Sequence, residues 1–162
     1  MKILVFSDSH GTVRAMHSVV AWEKPDRILH LGDVVRDAAD LADAYPNIPV
    51  ESVCGNCDYN REAPLQTILN VQGRRILMTH GHTYHVKVGM GAAVQAARAA
   101  QVDILLFGHT HEAFCRQDDG LWVMNPGSIR GYFCPTYGVI TLTTDTTTCE
   151  IREYTDKLNL EG

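Results

Sequence analysis

Five short apolar runs, at residues 3–6, 27–31, 49–54, 74–78 and 104–107, each give way within a few positions to an Asp, Asn or His. Runs of four to six residues are too short for packed helices, and several are rich in Val and Ile, so they read as strands. Continuous rather than alternating hydrophobicity marks strands covered on both faces, as in a parallel sheet. Helical patterns lie between them: one from a Thr12 cap to about Glu23, one over 37–45 stopped by Pro46, and one over 86–100 that Gly89 and Gly91 weaken near its start. The order β-α-β-α-β then gives way to alternating segments at 113–117, 121–124, 138–143 and 149–154. Asp119-Gly120 fits a hairpin turn and Asp145-Thr146 a looser one. A chain that begins with helices between strands and ends in a meander fits an α/β fold: two packed mixed β-sheets flanked by helices, an αββα sandwich.

A length of 162 residues suits one domain spanning 1–162, and 45% hydrophobic residues supply its core. The net charge of −5 argues against a surface that holds nucleic acid by bulk phosphate neutralisation. The opening segment has one basic residue and too few apolar ones before Asp8 for a signal peptide or membrane span. Five cysteines, an odd number, suit a reducing compartment rather than a disulfide scaffold, with the cytoplasm as the expectation. Exposed sheet edges favour a homodimer or higher homo-oligomer, and the tail after Thr155 is expected to fray.

The residues after the runs carry the chemistry: Asp8-Ser9-His10, Gly32-Asp33, Gly55-Asn56-Cys57-Asp58, Thr79-His80-Gly81 and Gly108-His109-Thr110-His111. In open α/β sheets the ligand site lies beyond the carboxyl ends of the strands, so these residues converge. Polar turns explain one or two such positions. They do not explain why four of the eight histidines stand there with two carboxylates and an amide. Oxygen and imidazole donors without thiolates suit Mn, Fe, Ni or Zn, and magnesium less well.

These motifs resemble those of the calcineurin-like metallophosphoesterases, particularly their small bacterial and archaeal phosphodiesterase branch, whose pattern is D-x-H, GD, GN, H and GHxH. The resemblance spans most of the chain and implies two divalent ions, manganese favoured, with nickel, iron or zinc as alternatives. It implies that Asp8, His10, Asp33 and His111 hold one ion and that Asp33, Asn56, His80 and His109 hold the other, with Asp33 bridging. Two such cations can clamp phosphoryl oxygens and lower the pKa of a bridging water, giving hydroxide for in-line attack. Asp33, Asn56 and His80 would then serve catalysis directly. Asp58 and nearby carbonyls are candidate partners for the histidine rings.

Cys57 stands where larger relatives often place His, a pattern resembling the small branch; a thiol there either donates a proton or fills space. The C-x-x-C spacing of Cys54 and Cys57 is better explained by the metal loop than by redox chemistry. His82 and His85 read either as pocket-rim residues after His80 or as surface-loop histidines, with His82, two residues past His80, slightly favoured for phosphate contact. His17 and His30 read as packing or exposed residues. Arg14, Arg61 and Arg130 are candidate phosphate partners, although arginines are more often solvated. Asn125-Pro126-Gly127-Ser128 resembles a family loop at the metal edge, while Pro and Gly alone explain a turn there. The expected activity is hydrolysis of a small phosphodiester. Phosphomonoester hydrolysis is the alternative within enzymes. A protein-interaction scaffold without hydrolysis, like the retromer subunit of this fold, is the alternative from another class.

Overall fold

The computed structural model describes residues 1–58, 63–131 and 134–156. In the first half β1 (Lys2–Phe6), α1 (Val13–Glu23), β2 (Arg27–His30), α2 (Val35–Ala44) and β3 (Val50–Ser52) alternate as expected. There follow β4 (Gln66–Val71), β5 (Arg74–Thr79), α3 (Gly91–Ala99), β6 (Ile104–Leu106), β7 (Phe114–Asp118), β8 (Leu121–Asn125), β9 (Thr136–Leu142) and β10 (Thr147–Glu153). One sheet has the order β10-β9-β1-β2-β3 and the other β4-β5-β6-β8-β7. Strands β1, β2 and β3 run parallel, as do β5, β6 and β8, and antiparallel strands complete both sheets. The double-sheet α/β sandwich is therefore the observed fold.

Strand alternation explains the unbroken apolar runs. Ile3, Val5, Leu29 and Leu31 of one sheet meet Ile76, Met78, Ile104, Leu106 and Met124 of the other in a single buried layer. The intervening Leu4, Phe6 and Ile28 face outward, under Met16, Val19 and Val20 of α1 and Leu41 of α2. On the second sheet Leu77, Leu105 and Val123 pack beneath Ala93 and Ala97 of α3. Both faces of each central strand are thus covered, and polar residues are pushed to the strand ends.

Three local features differ from the sequence expectations. Strand β4 has no counterpart among the apolar runs, because it is an edge strand whose residues are largely exposed and only Val71 is buried. Its pairing with β5 turns at Gln72-Gly73, both at positive φ. The third helix begins at Gly91 rather than Val86; residues 86–88 form turns instead, with the Val86 amide bonded to the Gly81 carbonyl. Thr12 occupies the cap position of α1 but makes no side-chain capping bond. The Asp119-Gly120 turn is as expected, both residues at positive φ between β7 and β8.

Candidate metal centre

The carboxyl ends of all six parallel strands open onto one edge of the sandwich, and the donor loops leave from there. Among the described residues ten non-glycine positions have positive φ, and five of them are Asp8, His10, Asp33, His109 and His111. Such backbone is uncommon outside glycine and concentrates at functional sites. The adjoining glycines are there for room. A Cβ on Gly55 would stand 2.0 Å from Asp33 Oδ1, and one on Gly108 would stand 2.0 Å from Ser7 Oγ and 2.8 Å from Asp8 Oδ2. Gly32, at φ +101°, lies against the Gly55 backbone. The GD, GN and GH pairs thus let the loops approach one another.

Each buried carboxylate has one oxygen fixed by the fold and one facing a shared space. Asp8 Oδ2 accepts from the Ser7 hydroxyl and from the His109 amide at 3.1 Å. Its Oδ1 is buried without a hydrogen bond, although Nε2 of His111, His80 and His10 approach it to 3.0, 3.8 and 3.9 Å. Asp33 Oδ1 accepts from the Cys57 amide at 2.9 Å, while Oδ2 faces Nε2 of His80 at 3.5 Å and of His10 at 3.8 Å.

His80, fully buried, donates from Nδ1 to the Leu31 carbonyl at 2.8 Å. A carbonyl only accepts, so Nδ1 carries a proton, while Nε2 stands 3.1 Å from Asn56 Oδ1 and 3.2 Å from His109 Nδ1. Donor atoms of Asp8, His10 and His111 lie within 4.8 Å of one another, as do those of Asp8, Asp33 and His80, and those of His10, Asp33 and Cys57. Leaving an ionised oxygen buried and unpaired costs on the order of several kcal/mol. Asp8 Oδ1 and the equally orphaned His10 Nε2 are both satisfied by a cation, so the donor set fits divalent metal.

The electrostatics follow from this crowding. Burial alone would raise Asp33, but the charge of His80 and hydrogen bonds from Cys57 outweigh it and lower its pKa. Partial desolvation, then the hydrogen bond to Asp33 and the charges of Asp33, Asp58 and Asp8, push the Cys57 thiol up to about 11. Burial and the charge of His80 lower His82; burial, His80 and Lys87 lower His109.

A second layer of polar residues locks the loops from behind. The Gly32 amide donates to His30 Nδ1 at 3.1 Å, so His30 Nε2 carries the proton and donates to Ser9 Oγ at 2.9 Å. Ser9 donates to Asp37 Oδ2 at 2.6 Å, which also accepts from the Gly11 amide at 2.8 Å. The sequence points to packing or exposure for His30; the ring is buried, and in packing there it also ties the Asp8 loop to the Asp33 loop. Asp58 bonds no histidine ring among the described contacts and accepts instead from the amides of Asp33, Val35 and Gly55, at 3.0, 2.7 and 2.8 Å. Asn125 donates to the Gly108 carbonyl at 3.1 Å and to Thr110 Oγ1 at 2.9 Å, and Ser128 donates to the Asp8 carbonyl at 2.8 Å.

All seven expected donors, Asp8, His10, Asp33, Asn56, His80, His109 and His111, lie in this one region. Cys57 and His82 flank it, the His82 ring centroid standing 5.5 Å from that of His80. His85, Arg14 and Arg130 are exposed, His17 packs its ring against Tyr45, and Arg61 lies outside the described residues. Ser7, His30 and Asp37 lie outside the sequence motifs and Ser9 sits within one without being singled out; the available signal is the position of Ser7 and Ser9 beside a donor, of His30 at the end of β2 and of Asp37 at the start of α2.

A sheet-edge cluster of carboxylate, amide and imidazole donors on a double-sheet sandwich is a candidate metal centre of the kind found in phosphoesterase folds. The chain belongs to the calcineurin-like phosphoesterase superfamily, whose domain model matches residues 1–147. It is 30% identical over 154 residues to the probable metallophosphoesterase YsnB of Bacillus subtilis, covering 91% of this chain and 88% of that protein. It is 27% identical over 177 residues to a phosphodiesterase of Methanocaldococcus jannaschii, covering 94% and 98%. Among solved structures, a predicted phosphoesterase of Streptococcus pneumoniae superposes with a TM-score of 0.77 at 23% identity, covering 94% of this chain and 88% of the other. Vps29 of Entamoeba histolytica, solved with zinc, superposes with a TM-score of 0.75 at 20% identity, covering 96% and 100%. At these identities the structural likeness concerns the fold alone.

Proposed function

We propose that the chain acts as one catalytic domain, a phosphodiesterase dependent on two divalent metal ions, manganese foremost. The observation that carries this reading is the pair of orphaned buried atoms, Asp8 Oδ1 and His10 Nε2, facing the other donors. Asp8, His10, Asp33 and His111 would hold one ion, and Asp33, Asn56, His80 and His109 the other. When bound, two such ions clamp phosphoryl oxygens and supply a hydroxide nucleophile at neutral pH.

The chain's own residues do the remaining work. Asp33, with one oxygen pinned by Cys57, keeps the other toward both histidine sets. Asn56 brings a neutral oxygen, and its amide group, which donates to Cys57 Sγ at 3.7 Å, borders the position of the phosphate. Cys57, whose amide pins Asp33, flanks the donors and either donates a proton or fills space beside the phosphate, and His82 lies beside His80 on the rim. The diester preference is supported by relatives named as phosphodiesterases in Methanocaldococcus jannaschii and Escherichia coli.

The test is hydrolysis of bis-p-nitrophenyl phosphate and p-nitrophenyl phosphate by metal-stripped protein, reloaded in turn with Mn, Ni, Fe, Zn or Mg. Manganese is expected to restore turnover, with the diester preferred. Asp33→Ala and His80→Ala each lower kcat/KM by more than about a hundredfold, because even the partners behind metal ligands are worth 10 to 100-fold. Failure of every metal to restore either activity defeats the reading.

A further inference from the structure

Two chain segments leave the metal centre side by side. One runs from His80 through His82 to Val86 and Met90, and the other from His109 through Thr110 to Phe114. Between them lies a cavity of about 200 Å³, whose apolar lining includes Val86, Val88, Met90, Phe107 and Phe114. Thr110, between two donor histidines, forms part of its wall. Val88 is 92% exposed, an apolar side chain with nothing over it. Lys87 and Glu112 also line the cavity and offset each other's charge, so the groove offers no net attraction to a second anionic group.

We propose that this groove is a specificity subsite that receives one uncharged, apolar or aromatic ester substituent of the substrate while the phosphate occupies the metal centre. The proposal rests on the phosphoester reading above. Sites for whole drug-sized ligands run to roughly 300–1,000 Å³, so the smaller cavity suits a single substituent. The apolar walls then gain by removing that substituent from water.

The experiment is calorimetric titration of the manganese-loaded protein with methylphosphonate and with phenylphosphonate, which cannot be hydrolysed as esters. Phenylphosphonate should bind about tenfold more tightly, the worth of burying part of one ring. In Val88→Ser and in Met90→Ser, measured separately, that ratio should fall to about threefold or less. Because Val88 is exposed, its variant leaves the core untouched. A wild-type ratio near unity, or a ratio unmoved in both variants, overturns the subsite and leaves the metal centre standing. Binding of neither phosphonate overturns the phosphoester reading and the subsite with it.

Discussion

His30 has no solvent exposure and apolar neighbours in the chain, yet both of its ring nitrogens are engaged, with Gly32 and Ser9. Burial lowers its pKa to about 4, outweighing the raising influence of Asp37, Asp8 and Asp58. The unfolded chain takes this proton near pH 6.5, so between those values the unfolded state binds more protons than the folded one. The stability due to neutral His30 is complete above about pH 6.5 and is lost as pH falls toward 4. Urea unfolding of metal-free protein at pH 7.5 and pH 4.5 should show a loss of roughly 2 to 3 kcal/mol from this residue. The pH-dependent loss should shrink in His30→Asn; an unchanged loss in the variant would disprove the assignment. The donor residues were legible because Asp, Asn and His directly after apolar runs are conspicuous. His30 was not, because its partners come from other segments and its own run conceals it.

Elements were legible where the period of hydrophobicity was forced by burial on both faces, as in β1, β2, β5 and β6. Strand β4 was not, because an edge strand with little buried surface leaves a faint pattern. The start of α3 was misplaced because Val86 is buried, as a helical face would require, whereas residues 86–88 turn and the helix starts only at Gly91. At the opposite edge, the end of α1 is fastened to its sheet through Glu23, which accepts from Arg152 at 2.7 Å, Tyr137 at 2.8 Å and Lys2 at 3.1 Å. Burial would raise Glu23, but these partners together lower its pKa to about 2. Its contribution is therefore present above about pH 4.5 and lost as pH falls through 2. Glu23→Ala should cost about 2 kcal/mol at pH 7, since it also strands the buried Tyr137 hydroxyl. A chemical denaturation midpoint within error of the wild type would remove this fastening from the account.

Across the whole molecule, the donors come from five loops and both sheets, so a metal bound to all of them binds the folded chain alone. Saturating manganese should therefore raise Tm, by the equivalent of about 2.7 kcal/mol at a free concentration a hundred times Kd. Asp33→Asn should abolish most of that shift in differential scanning calorimetry, whereas an equal shift in wild type and variant would place the ion elsewhere. Of this architecture, the chain's local chemistry alone fixes the burial pattern of the central strands, the first two helices between them and the chemical types of the donors. It does so because hydrophobic period and residue chemistry are local properties of the chain. Only the tertiary structure decided that Asp8 turns one oxygen inward, that His30, Ser9 and Asp37 lock two loops together, and that a groove opens beside Thr110. Those depend on contacts between residues distant in sequence, and their geometry follows from how the two sheets pack against each other.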